Sequence, residues 1–191
     1  MGDHMISVYA SQNQRWGVLT PFLTAGMLLR QQVMVIAPES TIPEVRERLR
    51  TAGIDVRGAL SSRQLLFVGQ DELPVREYRF DEQAVIDFLH GATESARASG
   101  WTALRVAAEW PWFVNELDLP GLLRYEANVN REFRLWPAIL MCLYDISELQ
   151  PGTVTDLVST HPLVVLGDKV VENELYVPEE GRPGGVGDRL H

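Results

Sequence analysis

The chain has 191 residues, 46% hydrophobic and 23% charged, with a formal net charge of −9. That balance excludes a nucleic-acid binder, because phosphate contacts need clustered Lys and Arg; Lys169 is the one lysine, and the arginines are scattered. A single cysteine, Cys142, excludes an internal disulfide and any multi-cysteine zinc site. No apolar run reaches the roughly 18 residues of a membrane span, so the expectation is one cytoplasmic domain.

In chain order, Met5 to Tyr9 reads as a strand, and Ser11 suits the cap of a helix carrying Trp16, Leu19, Leu23 and Met27 on one face. Pro21 falls inside that pattern and predicts a kink or a late start. Val33 to Ala37 is a second buried strand. Thr41 and Pro43 open a helix that stops at Gly53. Leu65 to Val68 is a third strand, with Ile54 to Val56 read as part of its approach. Residues 69 to 81 are polar and irregular, and a long helix follows from about Asp81 to Ser99.

Ala103 to Ala108 is a run of the kind that forms a strand covered on both faces. Glu109, Trp110 and Trp112 follow at once. A helix then starts near Asp118 and Pro120, with Leu122, Tyr125, Val129 and Phe133 on one stripe and Glu126 and Asn130 projecting toward it. Ala138 to Tyr144 is strand five, Thr153 to Thr160 a short helix, and Leu163 to Leu166 strand six. Gly167 and Asp168 make a tight turn into a hairpin through Lys169 to Val171. Strands alternating with helices indicate a doubly wound, mostly parallel α/β sheet with an antiparallel C-terminal edge. The domain is read as residues 1–178, and 179–191 as a flexible tail with too little apolar surface to fold.

The candidate site is a meeting of polar groups with aromatics at the strand ends, where open α/β sheets receive ligands. Glu109, Trp110, Trp112, Tyr125, Glu126 and Asn130 are expected to converge there, joined by Tyr9 and Tyr144 as aromatic walls with polar tips. Arg105 points to the same face as Glu109 and needs an acidic partner, either Glu109 or Glu126. His4 precedes strand one and is placed at the opposite edge of the sheet; His161 ends a helix before Pro162. These histidines are read as structural or switch residues, and no histidine pair has the spacing of a metal motif. Cys142, in mid-strand, is read as buried and inert, and no nucleophile motif is evident. The turn after strand one, YASQNQRWG, lacks the glycines and lysine of a phosphate loop, so an enzyme hydrolysing nucleotides is not expected.

Together, GDH at Gly2 to His4 leading into the first strand, LRVAAEWPW at 104–112, RYEANVN at 124–130, CLYD at 142–145 and HPLVVLGDKVVEN at 161–173 resemble the MEDS domain, the methanogen/methylotroph DcmR-type sensory family. The resemblance covers nearly all of residues 1–178. It implies a RecA/KaiC-like fold that has lost nucleotide hydrolysis and senses a small molecule, passing the signal to a DNA-binding, kinase-like or anti-sigma partner. In the family a cysteine often follows the histidine shortly; here Met5 and Ile6 do. The expected function is therefore a non-catalytic sensory domain in signal transduction and transcription regulation, with an unknown ligand of apolar or mixed polarity and possible self-association. An interaction module that docks to a kinase-like ATPase or anti-sigma partner without a ligand is the alternative.

Overall fold

The structure, a computed structural model, describes residues 2–69, 72–73, 75–76, 79–109 and 119–178. Strands β1 (Asp3–Tyr9), β2 (Gln32–Ile36), β3 (Leu65–Val68), β6 (Leu104–Glu109), β7 (Ala138–Asp145), β8 (Leu163–Leu166) and β9 (Lys169–Glu172) form one seven-stranded sheet in the order β3-β2-β6-β7-β1-β8-β9. All neighbours are parallel except β8 and β9, the antiparallel pair at the edge, joined through Gly167 at φ +63°. A separate ladder pairs β4 (Val75–Arg76) with β5 (Arg79–Phe80), within the stretch read from sequence as irregular.

Among the described residues six α-helices cover the sheet: α1 (Gln12–Leu28), α2 (Ile42–Thr51), α3 (Val56–Ser61), α4 (Glu82–Ala98), α5 (Leu119–Phe133) and α6 (Pro151–Thr160). Parallel crossovers are right-handed, so the direction in which a connection travels across the sheet decides which face its helix covers. From β1 to β2 and from β2 to β3 the chain moves toward one edge, and α1, α2 and α3 cover one face. From β3 to β6, β6 to β7 and β7 to β8 it moves back, and α4, α5 and α6 cover the other. The two cores follow this division. Trp16, Leu19, Leu23, Val45 and Leu49 pack on Met5, Val33, Val35, Ala107, Met141 and Leu143. Val85, Leu89, Leu122, Val129, Phe133 and Leu157 pack on Ile6, Met34, Val106, Leu140 and Cys142. Alternate residues of each central strand thus serve opposite cores, as the period-two pleat requires.

Caps set several helix starts. Ser11 accepts from the Gln14 N–H at 3.3 Å, Asp81 from the Ala84 N–H at 3.0 Å, and Asp55 from the Gly58 N–H at 3.0 Å. The Asp55 cap corrects the sequence reading, because Val56 begins a helix and is not part of a strand approach. The helix after Ser11 starts on time and runs through Pro21 without a break. No helix among the described residues is long and apolar enough to cross a membrane. The expected tail, 179–191, lies outside the described residues.

Candidate functional site

Two buried polar clusters stand on opposite faces of the sheet. The larger lies under α5. Glu126 and Asn130 are four residues apart on that helix, so one face carries both toward the sheet. β1 presents His4 to the same layer, β7 presents Cys142 and Tyr144, and α6 ends at His161. Glu126 and His161 have no exposure, and His4, Cys142 and Tyr144 have 2% or less.

Each imidazole is oriented by a bond to its Nδ1. The Asn130 amide donates from Nδ2 to the Thr160 carbonyl, which turns its Oδ1 toward His4, where it lies 2.8 Å from Nδ1. An amide oxygen accepts, so His4 Nδ1 carries the proton and Nε2 presents a lone pair. His161 Nδ1 lies 2.9 Å from the Leu157 carbonyl, another obligate acceptor, so its Nε2 is likewise the bare nitrogen in the neutral ring. His4 Nε2 sits 3.3 Å from Cys142 Sγ and 3.3 Å from Glu126 Oε2. His161 Nε2 is also 3.3 Å from Glu126 Oε2, yet it makes no hydrogen bond among the described residues. The other carboxylate oxygen accepts from the Tyr144 hydroxyl. The two rings are 4.3 Å apart.

The electrostatics follow from burial. Desolvation, and then the neighbouring His161, depress His4 from 6.5 to about 3, so it is neutral at physiological pH. Burial, and then the Glu126 charge, push the Tyr144 hydroxyl well above its usual range and keep it a donor. Tyr125, fully buried on the same helix face, is raised well above its usual range by burial first and then by Glu126.

The smaller cluster lies under α1 at the carboxyl edge. Arg15 binds Glu109 in a fork: Nε donates to Oε1 at 2.8 Å and one terminal nitrogen to Oε2 at 2.9 Å. Arg15 also lies over the Trp16 ring at 4.1 Å and donates to Gln12 at 3.1 Å. Burial raises the Glu109 carboxyl from its usual value, against the pull of Arg15. Tyr9, half-buried beside the pair, is pushed up to about 12, first by burial and then by the Glu109 charge.

This arrangement corrects the expectation of a single point of convergence. Tyr9 and Glu109 face α1; Tyr125, Glu126, Asn130 and Tyr144 face the opposite layer. The sheet itself separates the two acids. Trp110 and Trp112 lie outside the described residues. Arg105 pairs with neither acid: its Nε donates to Gln31 Oε1 at 2.6 Å, and its guanidinium lies 4.5 Å from the Phe22 ring. His4, expected far from the acids, touches Glu126, because α5 lies along the strands and brings Glu126 and Asn130 down to the start of β1. Sequence reasoning missed Arg15 as the partner of Glu109, and the meeting of Cys142 with both histidines.

A family model described as MEDS, the MEthanogen/methylotroph, DcmR Sensory domain, matches residues 3–162. No curated protein matches the chain. Among solved structures, the flagellar accessory protein FlaH from Methanocaldococcus jannaschii is similar, with a TM-score of 0.57 and 12% identity over 88% of this chain and 74% of that one. At that identity the likeness concerns the fold alone, and it supports the RecA-like reading of the sheet.

Proposed function

Because the chain belongs to the MEDS family of sensory domains, we propose that it senses a small ligand of mixed polarity at the carboxyl edge of the sheet, without turnover, and signals to a partner regulator. The observation that carries this reading is the forked Arg15–Glu109 pair with Tyr9 at that edge. A buried ion pair is costly to assemble and adds little net stability, so its presence at this edge fits a recognition role. It lies where open α/β sheets meet their ligands.

That the domain does not hydrolyse nucleotides is supported by the length of the turn between β1 and α1. A phosphate loop spans eight positions and ends in a lysine; here Ala10 and Ser11 alone separate Tyr9 from Gln12, and Ser11 is used as the helix cap. Mg-ATP at millimolar concentration should therefore leave the melting temperature unchanged.

The test is a titration of the protein with a panel of small hydrophobic and mixed-polarity metabolites, read by tryptophan fluorescence and by melting temperature. A saturable response that Glu109→Gln or Tyr9→Phe weakens at least tenfold supports the reading. A ligand bound equally by wild type and both variants places the sensing site elsewhere. The alternative, docking to a partner without a ligand, has one observation in its favour: edge strand β9 and its surroundings expose Leu166, Val170 and Leu175 at 61%, 52% and 63%. An open edge of that kind is a template for another chain.

A further inference from the structure

We propose that His4, Glu126, Cys142 and His161 bind one divalent transition-metal ion of borderline softness, with Zn2+ the best match. The inference is independent of the sensory reading and of the carboxyl-edge cluster. Four ligand atoms, two imidazole nitrogens, a sulfur and a carboxylate oxygen, lie within 4.8 Å of one another, all on buried residues. In a tetrahedral zinc site, with bonds of about 2.0–2.3 Å, ligand atoms are about 3.3–3.8 Å apart. Three contacts here are already 3.3 Å, and the Cys142 Sγ to Glu126 Oε2 separation is 4.0 Å. Small side-chain shifts would complete the tetrahedron.

Three features beyond proximity point to a cation. First, both histidines aim Nε2 at the same Glu126 oxygen from 3.3 Å, a convergence that calls for positive charge at that point, either a proton on one ring or a metal ion. Second, the outer contacts have the form that orients metal ligands: each His donates its other N–H, one to Asn130 and one to the Leu157 carbonyl, and Tyr144 donates to the free oxygen of Glu126. Third, the charges cancel. A divalent ion with one thiolate, one carboxylate and two neutral imidazoles is neutral overall, which suits a site closed to water. The nitrogen and sulfur donors argue against Ca2+ and Mg2+, which take oxygen ligands. Binding is redox-neutral: the Cys142 S–H bond breaks, its proton leaves to solvent, and the sulfur pair forms the S–metal bond.

The experiment uses tag-free full-length protein, stripped with a chelator and titrated with Co2+ by absorption and with Zn2+ by calorimetry. One Co2+ per chain is expected, with the intense visible bands of tetrahedral coordination and a near-ultraviolet thiolate-to-metal band, both displaced by Zn2+. Cys142→Ser should abolish the thiolate band. His161→Asn should weaken binding at least tenfold, and Asn130→Ala, which alters only a positioning residue, by about 10- to 100-fold. His90→Asn, a histidine outside the cluster, should change nothing. Wild type that binds less than one equivalent, or binds Co2+ without a thiolate band, overturns the proposal whether or not any variant folds. A folded Cys142→Ser protein with the wild-type spectrum also overturns it.

Discussion

Removing Arg15 should strand a buried charge, and the size and pH dependence of the loss can be worked from the site. The side chains of Arg15 and Glu109 are 3% and 6% exposed, and their pairing is bidentate. Breaking such a pair from one side costs about 3–5 kcal/mol. In Arg15→Met the carboxyl has one escape, which is to take up a proton. From a usual value of 4.5, holding that proton at pH 7 costs about 3.4 kcal/mol, at about 1.36 kcal/mol per pH unit. The loss at pH 7 is therefore expected at about 3–4 kcal/mol, shrinking toward about 1 kcal/mol near pH 5 as protonation becomes cheap. Glu109→Gln has no such escape, since a guanidinium does not deprotonate, so its loss should persist at both pH values. The double variant Arg15→Met/Glu109→Leu removes both charges and should recover most of the stability. Urea denaturation at pH 7 and pH 5 measures all three. A loss below about 1 kcal/mol for Arg15→Met at pH 7, or one that ignores pH, would show that the pair is hydrated and refute the reasoning.

Three further outcomes are expected. Arg105→Met should cost about 1.5–3 kcal/mol, because the charge-assisted hydrogen bond to Gln31 is lost while the methionine still covers Phe22; a larger loss in urea denaturation would mean that the charge of Asp3, which favours the cation, acts as a full ion-pair partner. Gly2→Ala should be strongly destabilising and should weaken metal binding at His4 as well, since a Cβ there would lie 2.0 Å from the Phe133 carbonyl oxygen and 2.6 Å from that of Trp136; an alanine variant with wild-type melting and Co2+ affinity would contradict the close approach. Acid should destabilise the metal-free protein through His4. The unfolded chain takes up a proton at 6.5, whereas the folded site resists to about 3. This contribution is intact above pH 6.5 and falls by up to about 1.4 kcal/mol per pH unit as pH drops toward 3, and His4→Gln should flatten that slope in melts across the range.

The fold was legible because its central strands are buried on both faces and so read as largely apolar runs, such as VMVIA and AILMCLY. The short α3 was not, since Asp55 capping Gly58 is a local bond and six residues, one of them Gly58 in the interior, are too few to show a helical period. The site was half legible. Glu126, Asn130 and Tyr125 stand together by helical spacing alone, and Glu109 stands out as an acid at a strand end. What the spacing of one element does not contain is which face of the sheet its neighbour covers. Glu109 and Glu126 are 17 positions apart in sequence, yet Glu109 faces α1 while Glu126 lies in the layer on the other side of the sheet. Deciding that requires the strand order, from which right-handed crossovers then put α1 and α5 on opposite sides. The same rule, with the period-two pleat, assigns Arg15 to Glu109 and leaves His4 and Cys142 to Glu126.

Strand β1 connects the two clusters. His4 and Tyr9 are five positions apart on it, an odd separation, so one strand sends a side chain to each layer. Its parallel register on β7 sets Ile6 beside Cys142 and Val8 beside Tyr144, so His4, Cys142 and Tyr144 reach the same layer with little freedom to slide. A one-residue slip would carry His4 to the α1 face and Tyr9 to the α5 face. The cluster around Glu126 therefore ties β1, β7, α5 and α6 to one register, whereas the Arg15–Glu109 fork ties α1 to β6 at the carboxyl edge. The proposed ligand at the carboxyl edge would meet Arg15 and Glu109 on the α1 side, with the Glu126 cluster on the other face of the sheet out of its reach.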